Sequence, residues 1–145
     1  MRAIALALTF VLVMAMSPAA QVATPITVYK SPTCGCCGKW VEHMKKAGFN
    51  PAVNDLPNVS TVKQSMGVPA NLQSCHTSAI GGYAIEGHVP ADVIRQLLKE
   101  KPTVAGIAVP GMPIGSPGME QGDQKDKYNI VAFGKDGSQK VYASR

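Results

Sequence analysis

The sequence lacks the short motifs that mark common hydrolases and nucleotide-binding proteins. It contains no GxSxG turn and no Ser, His and Asp pattern typical of a hydrolase. The glycines Gly111, Gly115 and Gly118 miss the GxGxxG spacing, and no GK[ST] follows them. The 9 Asp and Glu residues show no paired arrangement that would suggest glycosidase chemistry. Hydrolytic and nucleotide-dependent functions are therefore excluded.

The chain also lacks a block of basic residues and an internal repeat. Lys and Arg number 14 against 9 Asp and Glu, and the positive charges are spread along the 145 residues. Such a spread is typical of a solvated surface, whereas a nucleic-acid interface concentrates positive charge. We therefore expect no nucleic-acid partner and, from the length, a single domain.

An apolar run long enough for a membrane-spanning helix is missing as well. Arg2 precedes the apolar residues 3–16, and small residues follow as far as Ala23. A spanning helix needs roughly 20 apolar residues, so we interpret residues 1–23 as a secretory signal peptide rather than a membrane anchor. We expect cleavage near residues 19–23. Residues 24–145 would then lie in the periplasm, without a membrane partner, where disulfides persist.

Hydrophobic periodicity predicts one α/β domain over residues 24–145. In chain order, the predicted elements are a strand at 26–29, a helix at 39–47, a strand at 50–56, a short helix at 59–66, strands at 77–80 and 83–86 around a Gly-Gly turn, and a helix from Pro90 to before Pro102. This order matches a thioredoxin-like core. Thr33 is available to cap the first helix. The Gly- and Pro-rich residues 104–122 show no helical period, and two alternating runs around residues 134–137 predict an added C-terminal β-hairpin.

The chemistry of the chain lies in three cysteines, Cys34, Cys36 and Cys37, between the first predicted strand and the first predicted helix. A thiol at a helix start has a lowered pKa, because the helix dipole and the free first-turn amides stabilise the thiolate. Cys34 and Cys37 have the CxxC spacing of a redox pair. Cys36 adds a neighbouring thiol that can attack their disulfide. The cluster therefore indicates redox chemistry, metal binding, or both.

Crowded thiols favour a soft metal. Zinc usually takes four separated ligands, such as two CxxC arms, whereas soft thiolates and thioethers select copper(I), and one thiolate can bridge two copper ions. We therefore interpret the cluster as a polynuclear copper(I) site. Cys75 would complete it, since the segment entering the third strand approaches the CxxC loop in a thioredoxin-like core. The alternative roles for Cys75 are a structural disulfide and a buried free thiol.

Two further side chains are candidate copper ligands. His76 is a ligand, a base that tunes the thiols, or a strand residue that faces away from Cys75. Met112 lies in the segment VPGMP, where Pro and Gly can hold a backbone that presents a thioether, and Met119 is the weaker candidate. His43 is expected to be a solvated helix residue and His88 a turn or cap residue, so neither is included in the site.

Four motifs in the sequence resemble one protein family. They are CGCCGKW from Cys34, SCHT from Ser74, EGHVP from Glu86 and VPGMPIGSPGME from Val109. In this order, along nearly the whole mature chain, they resemble the periplasmic CopG copper-resistance family, not the ribbon-helix-helix regulators that share the name. The resemblance implies a thioredoxin-like fold and a role in copper redox interconversion during copper resistance. It also implies copper bound by the thiols of Cys34, Cys36, Cys37 and Cys75.

Two classes of function follow. In the first, the protein is a copper-binding resistance protein whose partners are copper ions and other periplasmic copper-handling proteins. In the second, it is an enzyme, a thiol-disulfide oxidoreductase in which Cys34 attacks a substrate disulfide and Cys37 resolves the mixed intermediate. Under that hypothesis Cys34 and Cys37 are the catalytic residues. A third hypothesis is that the protein is a small exported domain with two structural disulfides.

Overall fold

The computed structural model describes residues 23–145. Its elements, in chain order, are β1 (Thr24–Lys30), α1 (Gly35–Lys46), β2 (Phe49–Asp55), α2 (Ser60–Ser65), a 3-10 turn (Ala70–Leu72), β3 (Thr77–Ile80), β4 (Tyr83–Glu86), α3 (Ala91–Glu100), β5 (Gly106–Ala108), β6 (Asn129–Phe133) and β7 (Gln139–Ser144). None of the helices in this range is long and apolar enough to span a bilayer. The predicted signal peptide, residues 1–23, lies outside the described residues except for Ala23.

The strands form one mixed sheet in the order β2-β1-β3-β4-β5-β6-β7. β1 pairs with β2 and β4 pairs with β5 in parallel, while the other neighbours are antiparallel. Parallel neighbours need a crossover connection; α1 links β1 to β2 and α3 links β4 to β5. The predicted α/β class is therefore confirmed, with a sheet of seven strands in residues 23–145.

The helices α1 and α3 share one apolar core with the sheet. On α1 the buried side chains Trp40, Val41 and Met44 recur at helical spacing, and on α3 the same holds for Val93, Ile94 and Leu97. Burial of each such side chain contributes about 1.5–3 kcal/mol. The indole N–H of Trp40 also donates to the carbonyl of Val89 at 2.9 Å. Through Trp40, in its second turn, α1 is therefore fixed against the segment that precedes α3.

Two expectations about local structure were wrong. Cys34, not Thr33, is the N-cap of α1, so the helix begins at Gly35 instead of Lys39. Residues 106–108, inside the Gly- and Pro-rich stretch, form the buried strand β5. A strand of 3 residues is too short to produce a periodic hydrophobic pattern. The strand is held because β4 and β6 both pair with it.

Candidate metal centre

The end of β1 places three cysteines at the N-terminus of α1. Cys34 has extended backbone angles, φ −77° and ψ 97°, and its Sγ accepts a hydrogen bond from the Cys37 N–H at 3.4 Å. Cys36 and Cys37 lie in the first turn of α1, where the backbone N–H groups have no partner within the helix. Cys37 is fully buried, while Cys34 and Cys36 are half-buried. The loop thus presents one shielded and two accessible sulfur atoms.

Cys75 brings a fourth sulfur atom to this loop. The Sγ atoms of the four cysteines all lie within 4.8 Å of one another. Cys34 and Cys37 are joined in a disulfide, whereas Cys36 and Cys75 are free thiols. The Cys36 Sγ lies 3.5 Å from the Cys34 Sγ. All four predicted cysteines are therefore brought together, in a state with one disulfide and two thiols.

The β3–β4 pairing brings His88 to Cys75. Thr77 pairs with Glu86, and the same register continues beyond the strands, since the Gly87 N–H donates to the His76 carbonyl at 3.0 Å. One more step places Cys75 opposite His88, whose Nε2 lies 3.0 Å from the Cys75 Sγ. His76 Nδ1 lies 3.4 Å from the same sulfur. Cys75, His76 and His88 thus form a second donor group, within 4.8 Å, that shares Cys75 with the first.

The Gly- and Pro-rich loop orients His88. The Nδ1 of His88 lies 2.8 Å from the Pro117 carbonyl oxygen. A carbonyl only accepts hydrogen bonds, so this contact assigns the proton to Nδ1 and leaves the Nε2 lone pair facing Cys75. Gly118 follows with φ +88°, and a Cβ there would lie 2.7 Å from the Cys36 carbonyl oxygen. The loop therefore rests directly on the first turn of α1.

Burial sets the protonation states of the second donor group. It lowers the pKa of His76 well below the usual value, with neighbouring His88 adding to the effect. Burial also lowers the pKa of His88, against the opposing effect of the Pro117 carbonyl. Burial and the neighbouring Cys36 raise the pKa of Cys75 to about 11. The imidazoles are thus held neutral, the form that binds metals, while the Cys75 thiol must release a proton to do so.

The other predicted ligands have different surroundings. His76 is fully buried, and its ring contacts Trp40 at a tilt of 48°, with ring centroids 4.5 Å apart. Its Nε2 has no hydrogen-bond partner within residues 23–145. Met112 is 52% exposed. Its loop is tied to the Cys75 segment, because Ser74 Oγ donates to the Gly111 carbonyl. Their roles as ligands stay predictions.

The sequence did not show that the side chains of two histidines are buried or half-buried. His88 lies in the bend between β4 and α3, as expected, but it is also fully buried against Cys75. The signal that could have located it is the Gly81-Gly82 turn, because the register of a hairpin follows from its turn. His43 is half-buried rather than solvated, and its Nε2 accepts from the Ala91 N–H at 3.2 Å, at the first residue of α3.

The fold and the site together define a class of protein: a mixed α/β chain with a cysteine cluster that could hold a metal ion. A family described as "Protein of unknown function, DUF411" matches residues 72–119, which include Cys75, His76 and His88. No curated protein matches the sequence significantly.

Two solved structures are similar to nearly the whole chain. Both are named copper resistance protein CopG, as Form 2 and Form 1. They are 43% and 42% identical to this chain, each with a TM-score of 0.80. The matches cover 84% and 85% of this chain and 98% of each solved chain. The chain therefore belongs to the copper resistance protein CopG family, which confirms the resemblance of its four motifs.

Proposed function

We propose that this protein binds copper(I) in the periplasm, as part of copper resistance. The observation that carries the proposal is the approach of four cysteine sulfurs to within 4.8 Å, since soft thiolates select copper(I) over harder ions. The name of the solved relatives supports copper as the metal. Copper is the cargo or substrate in this proposal.

The two donor groups favour more than one copper ion. Cys75 belongs to both groups, and a thiolate can bridge two copper ions. The proposed sulfur ligands are Cys34, Cys36, Cys37 and Cys75. We assign nitrogen ligands to His88, through Nε2, and to His76. Met112 is the proposed thioether ligand, supplied by the loop that the Ser74 hydrogen bond holds beside Cys75.

The disulfide between Cys34 and Cys37 gives the site a two-electron couple. When its S–S bond breaks, two electrons enter and two thiolates form; two Cu(I) ions can supply these electrons by becoming two Cu(II) ions. In the reverse direction two Cu(II) ions take one electron each from the two thiolates, and the S–S bond forms again. This balance supports copper redox interconversion as the role of the pair. Cys36, 3.5 Å from Cys34 Sγ, is positioned to exchange with the disulfide.

The arrangement of the first four strands supports the thioredoxin-like part of the proposal. In β2-β1-β3-β4, β2 is parallel to β1, while β3 is antiparallel to both β1 and β4. The α1 helix, which carries the CxxC pair, connects the two parallel strands. β6 and β7 extend the other side of the sheet as an antiparallel pair. Export by a signal peptide over residues 1–23 is part of the same proposal.

A second candidate function is thiol-disulfide exchange. The observation in its favour is the unequal exposure of the disulfide, with Cys34 half-buried and Cys37 fully buried. This is the arrangement needed for an accessible attacking thiol and a shielded resolving thiol. Under this candidate, Cys75 and the histidines have no chemical step to perform.

Substitution of Cys75 separates the two candidates. Cys75→Ser removes the sulfur shared by both donor groups but leaves the CxxC pair in place. We expect a clear loss of copper(I) affinity in a competition titration, while the rate of insulin disulfide reduction stays near that of the wild type. Unchanged copper affinity, with insulin reduction near that of the wild type, would contradict the proposed function and favour the oxidoreductase, in which Cys75 performs no step.

A further inference from the structure

A buried ion pair lies beside the Cys75, His76 and His88 group without belonging to it. Lys63 of α2 donates from Nζ to Glu86 Oε1 at 2.5 Å, and the two side chains are 4% and 0% exposed. Desolvating two charges costs several kcal/mol per ion, and apolar side chains of similar volume often replace such a pair without loss of stability. Stability therefore does not account for the pair, and its contacts suggest another role.

The Glu86 carboxylate connects the two segments that carry Cys75 and His88. Oε1 accepts a second hydrogen bond, at 2.6 Å, from the backbone N–H of Ser74, the residue before Cys75. Gly87, between Glu86 and His88, has φ +71°, and a Cβ there would lie 2.7 Å from the Ser74 Cβ. The two backbones are thus in close contact, and one carboxylate oxygen ties them together.

The same contacts reach the loop that carries Met112. Ser74 is held through its N–H by Glu86, and its Oγ donates to the Gly111 carbonyl. Gly111 immediately precedes Met112. Ser74 therefore joins Glu86 to this loop, and the position of Ser74 sets where Cys75 begins.

We propose that Glu86, held in place by Lys63, is a positioning residue: by accepting from the Ser74 N–H, its carboxylate sets the distance between Cys75 Sγ and His88 Nε2. The Lys63 ammonium holds the carboxylate in one orientation, and a charged acceptor binds the Ser74 N–H more strongly than a neutral one. Lys63 and Glu86 do not touch copper; they act through Ser74 and the register of β4. The inference rests on the proposed function only in taking Cys75 and His88 as copper ligands.

Two double variants separate positioning from stability. Lys63→Met with Glu86→Gln removes both charges but keeps an acceptor for the Ser74 N–H, whereas Lys63→Met with Glu86→Leu removes that acceptor. We expect the apo Gln variant to unfold near the wild-type urea midpoint. The apo Leu variant should stay folded, with a lower urea midpoint, because the Ser74 N–H loses its acceptor. Copper(I) affinity should fall about 10- to 100-fold for the Leu variant, the usual effect of losing an outer partner of a metal ligand. It should fall much less for the Gln variant, which keeps a neutral and therefore weaker acceptor for the Ser74 N–H.

The matched control removes an exposed ion pair of the same charges. Arg145 and Asp92 are 39% and 69% exposed in their pair, so Arg145→Met with Asp92→Asn should leave copper(I) affinity unchanged. Wild-type affinity and an unchanged copper-thiolate absorption spectrum in the folded Leu variant would overturn the proposal. Equal losses in the Gln and Leu variants would also overturn it, because the Ser74 acceptor would then be irrelevant.

Hydrogen exchange in the wild type tests the same contact without a substitution. A Ser74 amide held by Glu86 should exchange far more slowly than the exposed loop amides, with and without copper. Exchange at the rate of those amides would overturn the positioning role whatever the copper affinity. A wild type that takes up no copper would instead overturn the proposed function, so the two failures are distinguishable.

Discussion

Replacing His88 by Asn tests whether its Nε2 is a copper ligand. The Asn side-chain amide can reproduce the Nδ1–H that donates to the Pro117 carbonyl at 2.8 Å, but it has no atom at the position of Nε2. His88→Asn therefore removes the group that lies 3.0 Å from Cys75 Sγ while keeping the contact that orients the loop. The variant therefore separates the contribution of His88 to copper binding from its contribution to stability.

The expected magnitudes differ for stability and for binding. His88→Asn should keep the free energy of unfolding of the apo protein within about 1 kcal/mol, since the hydrogen bond to Pro117 is retained. His88→Ala should lose about 2–5 kcal/mol, because it leaves the buried carbonyl unpaired and opens a cavity. Copper(I) affinity should fall in both variants by at least the roughly 10- to 100-fold that loss of an outer-shell partner produces.

The measurements are urea denaturation of the apo proteins and anaerobic copper(I) competition titrations of the reduced proteins. The comparison of Asn with Ala is decisive, because the two share the loss of Nε2 and differ in the contact with Pro117. Wild-type copper affinity and stoichiometry in a folded His88→Asn protein would refute the assignment of Nε2 as a ligand.

Two further predictions concern the supports of the site. Gly118→Ala places a Cβ 2.7 Å from the Cys36 carbonyl at φ +88°, so it should cost at least about 1–3 kcal/mol of unfolding free energy; Gly122→Ala, at φ +57° in open space, should cost less, and equal urea midpoints would contradict the close packing. The pKa of His43 is lowered, chiefly by burial, so its stabilising contribution is present above the unfolded value of about 6.5 and is lost as the pH falls through the folded pKa. His43→Gln keeps an acceptor for the Ala91 N–H but cannot titrate. The urea midpoint of the wild type should therefore drop more between about pH 7.5 and pH 5 than that of the variant, and parallel curves would exclude the effect.

The sequence was most informative where local chemistry decides the structure. The CxxC cluster at a helix start, the Gly81-Gly82 turn and the amphipathic helix after Pro90 all follow from patterns a few residues long, and the structure places elements there. The four cysteines could be grouped in advance, since chain order and the crossover connection bring the Cys75 segment beside β1. In the structure, the long-range pairing of β1 with β3 brings the Cys75 segment close to the CxxC loop.

The parts that could not be predicted depend on contacts distant in sequence. The hairpin register brings His88 to the site, and a hydrogen bond to the Pro117 carbonyl orients its ring. Pro117 belongs to a loop that has no periodic sequence pattern. Lys63 and Glu86 are far apart in the chain, and nothing local shows that they form a buried pair. β5 exists because strands on both sides supply its hydrogen bonds. In each case tertiary contacts, not local propensity, decide the outcome.

The copper site can be tested by an anaerobic copper(I) titration of the reduced protein against a chromophoric competitor. We expect tight uptake of more than one copper ion per chain, because Cys75 is shared by two donor groups, and we expect Cys36→Ser to lose that uptake. Cys36 lies outside the CxxC pair, so this variant keeps the disulfide chemistry of Cys34 and Cys37. Weak uptake or none by the wild type would contradict the copper site and leave the CxxC pair as a disulfide exchanger.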